Sequence, residues 1–176
     1  MKDLQYIFNK VLWRIFKFDR ECVNNFFRRQ GVKIGNNVHI NCNILTNESR
    51  LIEIHNNVTI SHDVQFITHD NSISRVVSGK SNLLGKIIIG DDCFIGARST
   101  LLYGVTLAPK VIVAAGSVVT RSFNESEIVI GGNPAKKLTN YSALAKKYED
   151  KAVSFSGLSK NDRQRMLADE RILVKR

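Results

Sequence analysis

An all-β core wound as a parallel β-helix, with a helical segment at each end, is the fold this sequence predicts. Three observations predict it. A branched aliphatic residue returns every six positions through the middle of the chain. The residue four places behind each of them forms a second series of small, β-branched or apolar side chains. The 3.6-residue period of an amphipathic helix is confined to the two ends.

The repeat is clearest from Ile89 onward. Ile89, Ile95, Leu101, Leu107, Val113 and Val119 are spaced six apart, followed four residues later by Cys93, Ser99, Val105, Val111, Ser117 and Phe123. The same cadence appears in VKIGNNVHINCNIL, with Ile34 and Ile40 leading and Val38 and Ile44 behind. It resumes in IEIHNNVTISHDVQF, with Ile54, Ile60 and Phe66 leading and Val58 and Val64 behind, after a slip of two residues in TNESR. Alternating apolar residues followed by Gly, Asn or Asp read as a short strand and a turn. One such coil cannot bury its inner face alone, so the units must stack. Cys93, Ser99 and Ser117 then face a narrow interior corner, and Gly35, Gly90 and Gly96 follow a repeat aliphatic where the chain is expected to bend. The rhythm fails over FITHDNSISRVVSGKSNLLGKI, residues 66 to 87, and the failure predicts a loop over 67–86.

The ends read differently. Leu4, Ile7, Phe8, Val11, Leu12, Ile15 and Phe16 lie on one face of a helix, and Gly31, just behind Arg28 and Arg29, suits a helix stop. Such a helix either packs on the open first coil, hiding its unpaired strand edges, or lies on an anionic membrane, for which Trp13, Phe18 and the basic residues are suited. YSALAKKYEDKAV and SKNDRQRMLADERILVKR read as two helices, the second with an S-x-x-D start at Ser159 and Asp162. The expected organisation is an amphipathic segment 1–31, a β-helix 32–138 and a helical segment 139–176.

Composition narrows the function classes. At 176 residues there is room for one domain with a core and modest appendages. The net charge of +10 attracts polyanions, yet it gathers at the ends: residues 1 to 30 hold seven Lys/Arg against three Asp/Glu. No RNP, helix-turn-helix or zinc-finger pattern accompanies it, so no nucleic-acid partner is expected. A phosphate-bearing ligand or an anionic membrane face accounts for the charge equally well. No run of eighteen apolar residues and no signal peptide is present. The scattered Cys22, Cys42 and Cys93 read as structural or surface thiols and point to a reducing cytoplasm, including the inner face of the membrane.

IIIGDDCFIGARSTLLYGVTLAPKVIVAAGSVVTRSF followed by IVIGGNPAKKL resembles the hexapeptide-repeat acyltransferases, whose β-helix is left-handed. Within them it is most similar to the sugar O-acetyltransferases: the maltose and galactoside enzymes and their relatives in capsule, exopolysaccharide and O-antigen synthesis. The likeness spans roughly residues 30 to 138. It implies acetyl-CoA as donor, a saccharide acceptor, direct transfer without an acyl-enzyme, no metal, and a homotrimer with its sites between neighbouring chains.

A sugar hydroxyl is a poor nucleophile at neutral pH and needs a base that is ready there, a role for which histidine is suited. The resemblance assigns that role to His69, at the start of the interrupting loop. Asp70 either orients the ring or shapes the turn. Asn43 and Glu48 match acceptor-binding positions, the second often Asp in relatives. A main-chain amide near Gly96–Ala97–Arg98 matches the group that steadies the thioester oxygen, and Ala114, Ala115 and Gly116 match the pantetheine track. Arg121, Lys136 and Lys137 are the phosphate-binding candidates. Four other readings use the same coils. An N-acetyltransferase would act on an amino-sugar nucleotide. A γ-type carbonic anhydrase would need a third histidine beside His62 and His69, with His39 and His55 outside any stacked arrangement. A scaffold would need no histidine loop. A serine acetyltransferase would carry a much longer helical N-terminus.

Overall fold

The computed structural model describes Leu4, Ile7, Phe8, Val11 and residues 21–174. It divides into two compact units, Met1–Leu138 and Thr139–Arg176. The first holds three parallel sheets. One contains Lys33–Ile34, Ile52–Ile54, Ile87–Ile89 and Thr106–Leu107; the second Gln65–Ile67, Thr100–Leu102 and Val118–Val119. The third runs His39–Ile40, Thr59–Ile60, Phe94–Ile95, Val111–Val113 and Ile128–Gly131. Successive strands of the chain fall in different sheets, and the chain returns to each sheet one coil further along. This is a parallel β-helix.

The six-residue series are its inner columns. Ile34, Ile54, Ile89 and Leu107 are successive register partners in the first sheet, and Phe66, Leu101 and Val119 in the second. Ile40, Ile60, Ile95, Val113 and Ile130 form the column of the third. Nearly all are buried, and so are the followers from Val38 to Ser117. Each fully buried aliphatic contributes about 1.5–3 kcal/mol relative to exposure, so the columns carry the stability of the unit. The slip in TNESR is a turn of 3-10 helix at Ser49–Leu51, which makes that coil two residues longer than three hexads.

The corners correct one expectation. Gly35, Gly90 and Gly96 are glycine because the next coil lies against them, not because the chain bends sharply there. A Cβ on Gly96 would sit 2.5 Å from Ala115 N and 2.6 Å from Val113 O, and one on Gly35 2.8 Å from the His55 carbonyl carbon. The bend itself falls two residues later, at Asn37, Asn57, Asp63, Asp92, Arg98 and Lys110, whose φ values lie between 52° and 59°. At one corner these turn residues also link coils: Asn56 Oδ1 accepts from Asn36 N, and Asp91 Oδ1 accepts from both Asn56 N and Asn56 Nδ2.

Helix α1 (Glu21–Arg29) closes the first coil. Its Phe26 and Phe27 are buried in the core, Asn24 Nδ2 donates to Val38 O, and Arg28 donates to the carbonyls of Ile34 and Gly35. Gly31 follows with φ +98°, as a helix stop requires. The apolar stripe expected to cover this coil lies earlier. Its described members Leu4, Ile7, Phe8 and Val11 are helical but exposed, and Leu12, Ile15 and Phe16 fall outside the described residues.

After Ile67 the chain leaves the wall. His69–Asp70 pairs antiparallel with Leu83–Leu84, a 3-10 turn spans Ser72–Arg75, and the wall resumes at the buried Ile87. In the second unit, α2 (Tyr141–Tyr148) is capped by Asn140 Oδ1 and α3 (Lys160–Leu167) by Ser159 Oγ, which accepts from Asp162 N and donates to its carboxylate.

Candidate active site

The slip and the break meet. The turn around Ser49–Leu51 brings Glu48 against the first residues of the loop. Its Oε2 accepts from the buried Thr68 hydroxyl at 2.9 Å and lies 2.9 Å from His69 Nδ1. These hydrogen bonds, that to His69 first, hold the Glu48 carboxyl below the ordinary glutamate range, so it is ionised near neutrality. An ionised carboxylate only accepts, and the proton shared with it therefore sits on Nδ1. The tautomer leaves Nε2 with its lone pair, the form a general base needs. Both side chains are about one-third exposed, at 37% and 30%. His69 borders a recess of about 440 Å³ walled by Leu45, Thr46 and Asn47 on one side and Phe66–Thr68 on the other.

Asp70 is occupied elsewhere. Its Oδ1 accepts from Ser72 N at 2.8 Å, and Tyr103 donates its hydroxyl to Oδ2 at 3.2 Å. The Ser72 amide is the main reason that its carboxyl titrates low. Asp70 thus shapes the turn and ties the loop to the wall through Tyr103, and the group at the imidazole is Glu48. Asn43 Oδ1 accepts from Leu45 N at 3.1 Å, within the turn that forms the recess. The six-residue period assigned no role to Thr68, Tyr103 or Thr46, whose Oγ1 is buried without a hydrogen-bond partner among the described residues. Thr68 gave a weak signal: it is a polar residue next to the histidine in a run otherwise apolar.

A second recess, of about 450 Å³, lies along one corner of the coils and is lined by His62, Asp63, Ala97, Arg98, Ala115 and Gly116. Gly96 N–H is committed to Val113 O and Ala114 N–H to Ile130 O. The N–H groups of Ala97 and Ala115, stacked in successive coils, have no hydrogen-bond partner among the described residues. Small side chains and free donors one coil apart suit an extended ligand that accepts hydrogen bonds. Ala114 sits in the wall beside them, against Gly131. Arg98, named in the sequence only for its main chain, presents an exposed side chain at the recess, 3.9 Å from the Asp63 carboxylate. Of the phosphate candidates, Lys136 is exposed, Arg121 lies over the Phe123 ring at 5.3 Å, and Lys137 pairs with Glu125 at 2.5 Å.

The thiols are structural in setting. Cys93 donates to Ala108 O, and burial pushes its pKa up to about 11. His55 Nε2 lies 3.2 Å from Glu53, away from His69's partners. Among the described residues no three His, Cys, Asp or Glu side chains are grouped so that they could hold a metal ion.

Comparison with known proteins decides the family. Residues 86–121 match a family model described as the hexapeptide repeat of succinyl-transferase. Over 166 residues the chain is 33% identical to the protein CapG of Staphylococcus aureus, a match covering 92% of each. The chain belongs to the hexapeptide-repeat acetyltransferase family. As a member it is an acyltransferase. A putative acetyltransferase of Saccharomyces cerevisiae is 32% identical over 107 residues, 60% of this chain and 54% of that one. Two solved members of the family share its fold. A hexapeptide-repeat acetyltransferase of Vibrio cholerae, complexed with acetyl-CoA, superposes with a TM-score of 0.59 at 24% identity, covering 70% of this chain and 79% of its own. A galactoside acetyltransferase in complex with coenzyme A gives 0.57 at 19% identity, covering 82% and 84%.

Proposed function

We propose that the enzyme transfers an acetyl group from acetyl-CoA to a sugar hydroxyl, in the synthesis of a surface polysaccharide, with His69 as general base. The observation that carries the reading is the Glu48–His69 pair at the rim of a recess, with the carboxylate 2.9 Å from Nδ1. His69 Nε2 removes the proton of the acceptor hydroxyl as its oxygen attacks the thioester carbonyl carbon. The tetrahedral intermediate collapses by breaking the C–S bond, the ester forms, and the imidazolium returns the proton to the departing thiolate. Glu48 keeps the ring in one tautomer and balances its positive charge while it is protonated. The free Ala97 N–H is the candidate donor for the oxygen that gains charge during attack.

The corner recess is the proposed track for the donor. Pantetheine amides would accept from Ala97 and Ala115, and Arg98, Arg121, Lys136 and Lys137 supply cations for the phosphates. Asn43 and Thr46 belong to the acceptor side, on the turn facing His69. The acetyl-CoA and coenzyme A bound in the two related structures support the donor. The polysaccharide setting rests on the resemblance of the repeats and the GGNPAKKL turn to sugar O-acetyltransferases of capsule, exopolysaccharide and O-antigen synthesis. A left-handed helix and a homotrimer, with recesses completed by neighbouring chains, belong to the same reading.

The test follows thiol release from acetyl-CoA over a panel of saccharides and sugar nucleotides. His69→Ala should lower turnover by about a hundred- to ten-thousandfold with the fold intact. Near-full activity in that variant would overturn the assignment.

A further inference from the structure

The N-terminal segment presents an apolar face that the β-helix does not use. Leu4, Ile7, Phe8 and Val11 are helical and line one stripe, yet they are 75%, 55%, 60% and 42% exposed. Elsewhere such a stripe would be spent covering the end of the coils. Here that end is already closed: Phe26 and Phe27 of α1 fill it, and Asn24 and Arg28 satisfy the carbonyls of Val38, Ile34 and Gly35. The exposed stripe therefore lacks a structural purpose in the single chain.

Charge indicates what covers it. Residues 1 to 20 contain Lys2, Lys10, Arg14, Lys17 and Arg20 against Asp3 and Asp19, within a chain of net charge +10. A second copy docked face to face would bring two cationic segments together, whereas an anionic lipid surface attracts both the charge and the apolar stripe. Apolar insertion or charge alone gives only marginal attachment to a bilayer, and the two together give a useful affinity. Trp13, close by in the sequence, is a residue type that settles at the headgroup level. No helix among the described residues is long and apolar enough to cross a membrane, and the seven charged residues among residues 1–20 suit the bilayer surface rather than its core.

We propose that residues 1–20 are a surface anchor for anionic bilayers, laying Leu4, Ile7, Phe8 and Val11 into the headgroup boundary. The inference is independent of which hydroxyl the enzyme acetylates. It would hold the enzyme where an acceptor carried on a membrane lipid is concentrated.

Co-sedimentation of the full chain with vesicles tests it, using phosphatidylcholine alone and phosphatidylcholine with one-third phosphatidylglycerol. The expected result is binding to the anionic vesicles only, weakened by high salt. Leu4→Glu/Phe8→Glu should abolish binding, and Lys10→Glu/Arg14→Glu should weaken it by roughly fivefold or more per charge. Both variants should keep the thermal transition, since the substituted apolar side chains are exposed; if the first pair does not fold, the charge pair decides. The proposal is overturned if the wild type stays in the supernatant with anionic vesicles, or if the folded variants bind as it does. It is equally overturned if the wild type ignores vesicles while Leu4→Glu/Phe8→Glu reduces its oligomeric state in sedimentation velocity, which would assign the face to a second copy.

Discussion

Glu48→Gln separates what the carboxylate does by position from what it does by charge. In the native protein one oxygen, Oε2, takes both the Thr68 hydroxyl and His69 Nδ1, each at 2.9 Å. A glutamine carbonyl oxygen can accept from the same two donors, so the ring should keep its tautomer and place while losing the negative charge beside it. Because Glu48 is 30% exposed and His69 37%, water screens that charge. The loss should therefore fall well short of that seen for a fully buried carboxylate–imidazole pair. We expect kcat to drop about tenfold for Glu48→Gln, and about a hundredfold for Glu48→Ala, where orientation goes as well. KM for acetyl-CoA should not move, since Glu48 is not part of the corner recess. The assay is thiol release under saturating donor, run for each variant with and without His69→Ala. If Glu48 acts through the ring, its substitution has no further effect once the imidazole is gone. Independent, multiplicative losses in the double variant, or a change confined to KM for the acceptor, would refute the reasoning and return Glu48 to acceptor binding alone.

Other consequences can be checked without an acceptor. Gly96→Ala forces a methyl to within 2.5 Å of Ala115 N and 2.6 Å of Val113 O, backbone atoms fixed by the coil above, so the variant should lose at least about 1–3 kcal/mol in denaturant unfolding. Cys93 should resist alkylation at pH 8 in the native state and react only on unfolding, because burial holds its thiol near pKa 11. Stability should fall on acidification below about pH 4. The Asp91 carboxyl is held low chiefly by the Asn56 N–H, and that of Glu53 by its bonds to His55 and Lys33. Their folded pKa values lie below the unfolded ones, so their stabilisation is present above the ordinary carboxylate range and is lost as pH drops through the folded values. The thermal midpoint against pH measures this, and Asp91→Asn should flatten the acid limb.

The β-helix was legible because its columns are one-dimensional. A residue at Ile95 meets its counterparts at Ile60 and Val113 by register alone, so a period in the sequence is a stack in space. The slip in TNESR and the break after Ile67 were visible for the same reason. Partnership across those two irregularities was not. The resemblance placed Glu48 among the acceptor-binding positions, and the sequence left Asp70 open between orienting His69 and shaping the turn. Adjacency misleads within a strand: in the extended His69–Asp70 pair successive side chains leave on opposite faces, so the neighbour in sequence is turned away from the imidazole. The carboxylate that reaches the ring comes from a turn one coil earlier. The covering helix was displaced for a comparable reason. The stripe from Leu4 carries the helical period, yet closing the first coil also requires donors for its carbonyls, and Asn24 and Arg28 bring these with Phe26 and Phe27.

That division explains why the chemistry gathers at irregularities. Within the regular coils the backbone N–H groups bond to carbonyls of neighbouring coils, and the inward side chains are aliphatic or small. Such a wall can exclude water and hold a ligand by its few free corner amides, but its inward side chains offer no base. A base needs a titratable side chain in contact with solvent and substrate, and its partner carboxylate must come from elsewhere in the chain. Two extra residues at Thr46–Arg50 and the excursion after Ile67 supply these on neighbouring coils, where Phe66 still stacks on Leu101. The core stays continuous beneath them. Lengthening or trimming the far part of the loop, between Val76 and Asn82, should therefore alter acceptor choice more than fold. His69, Glu48 and the Tyr103–Asp70 tie lie at its base, with the wall behind them.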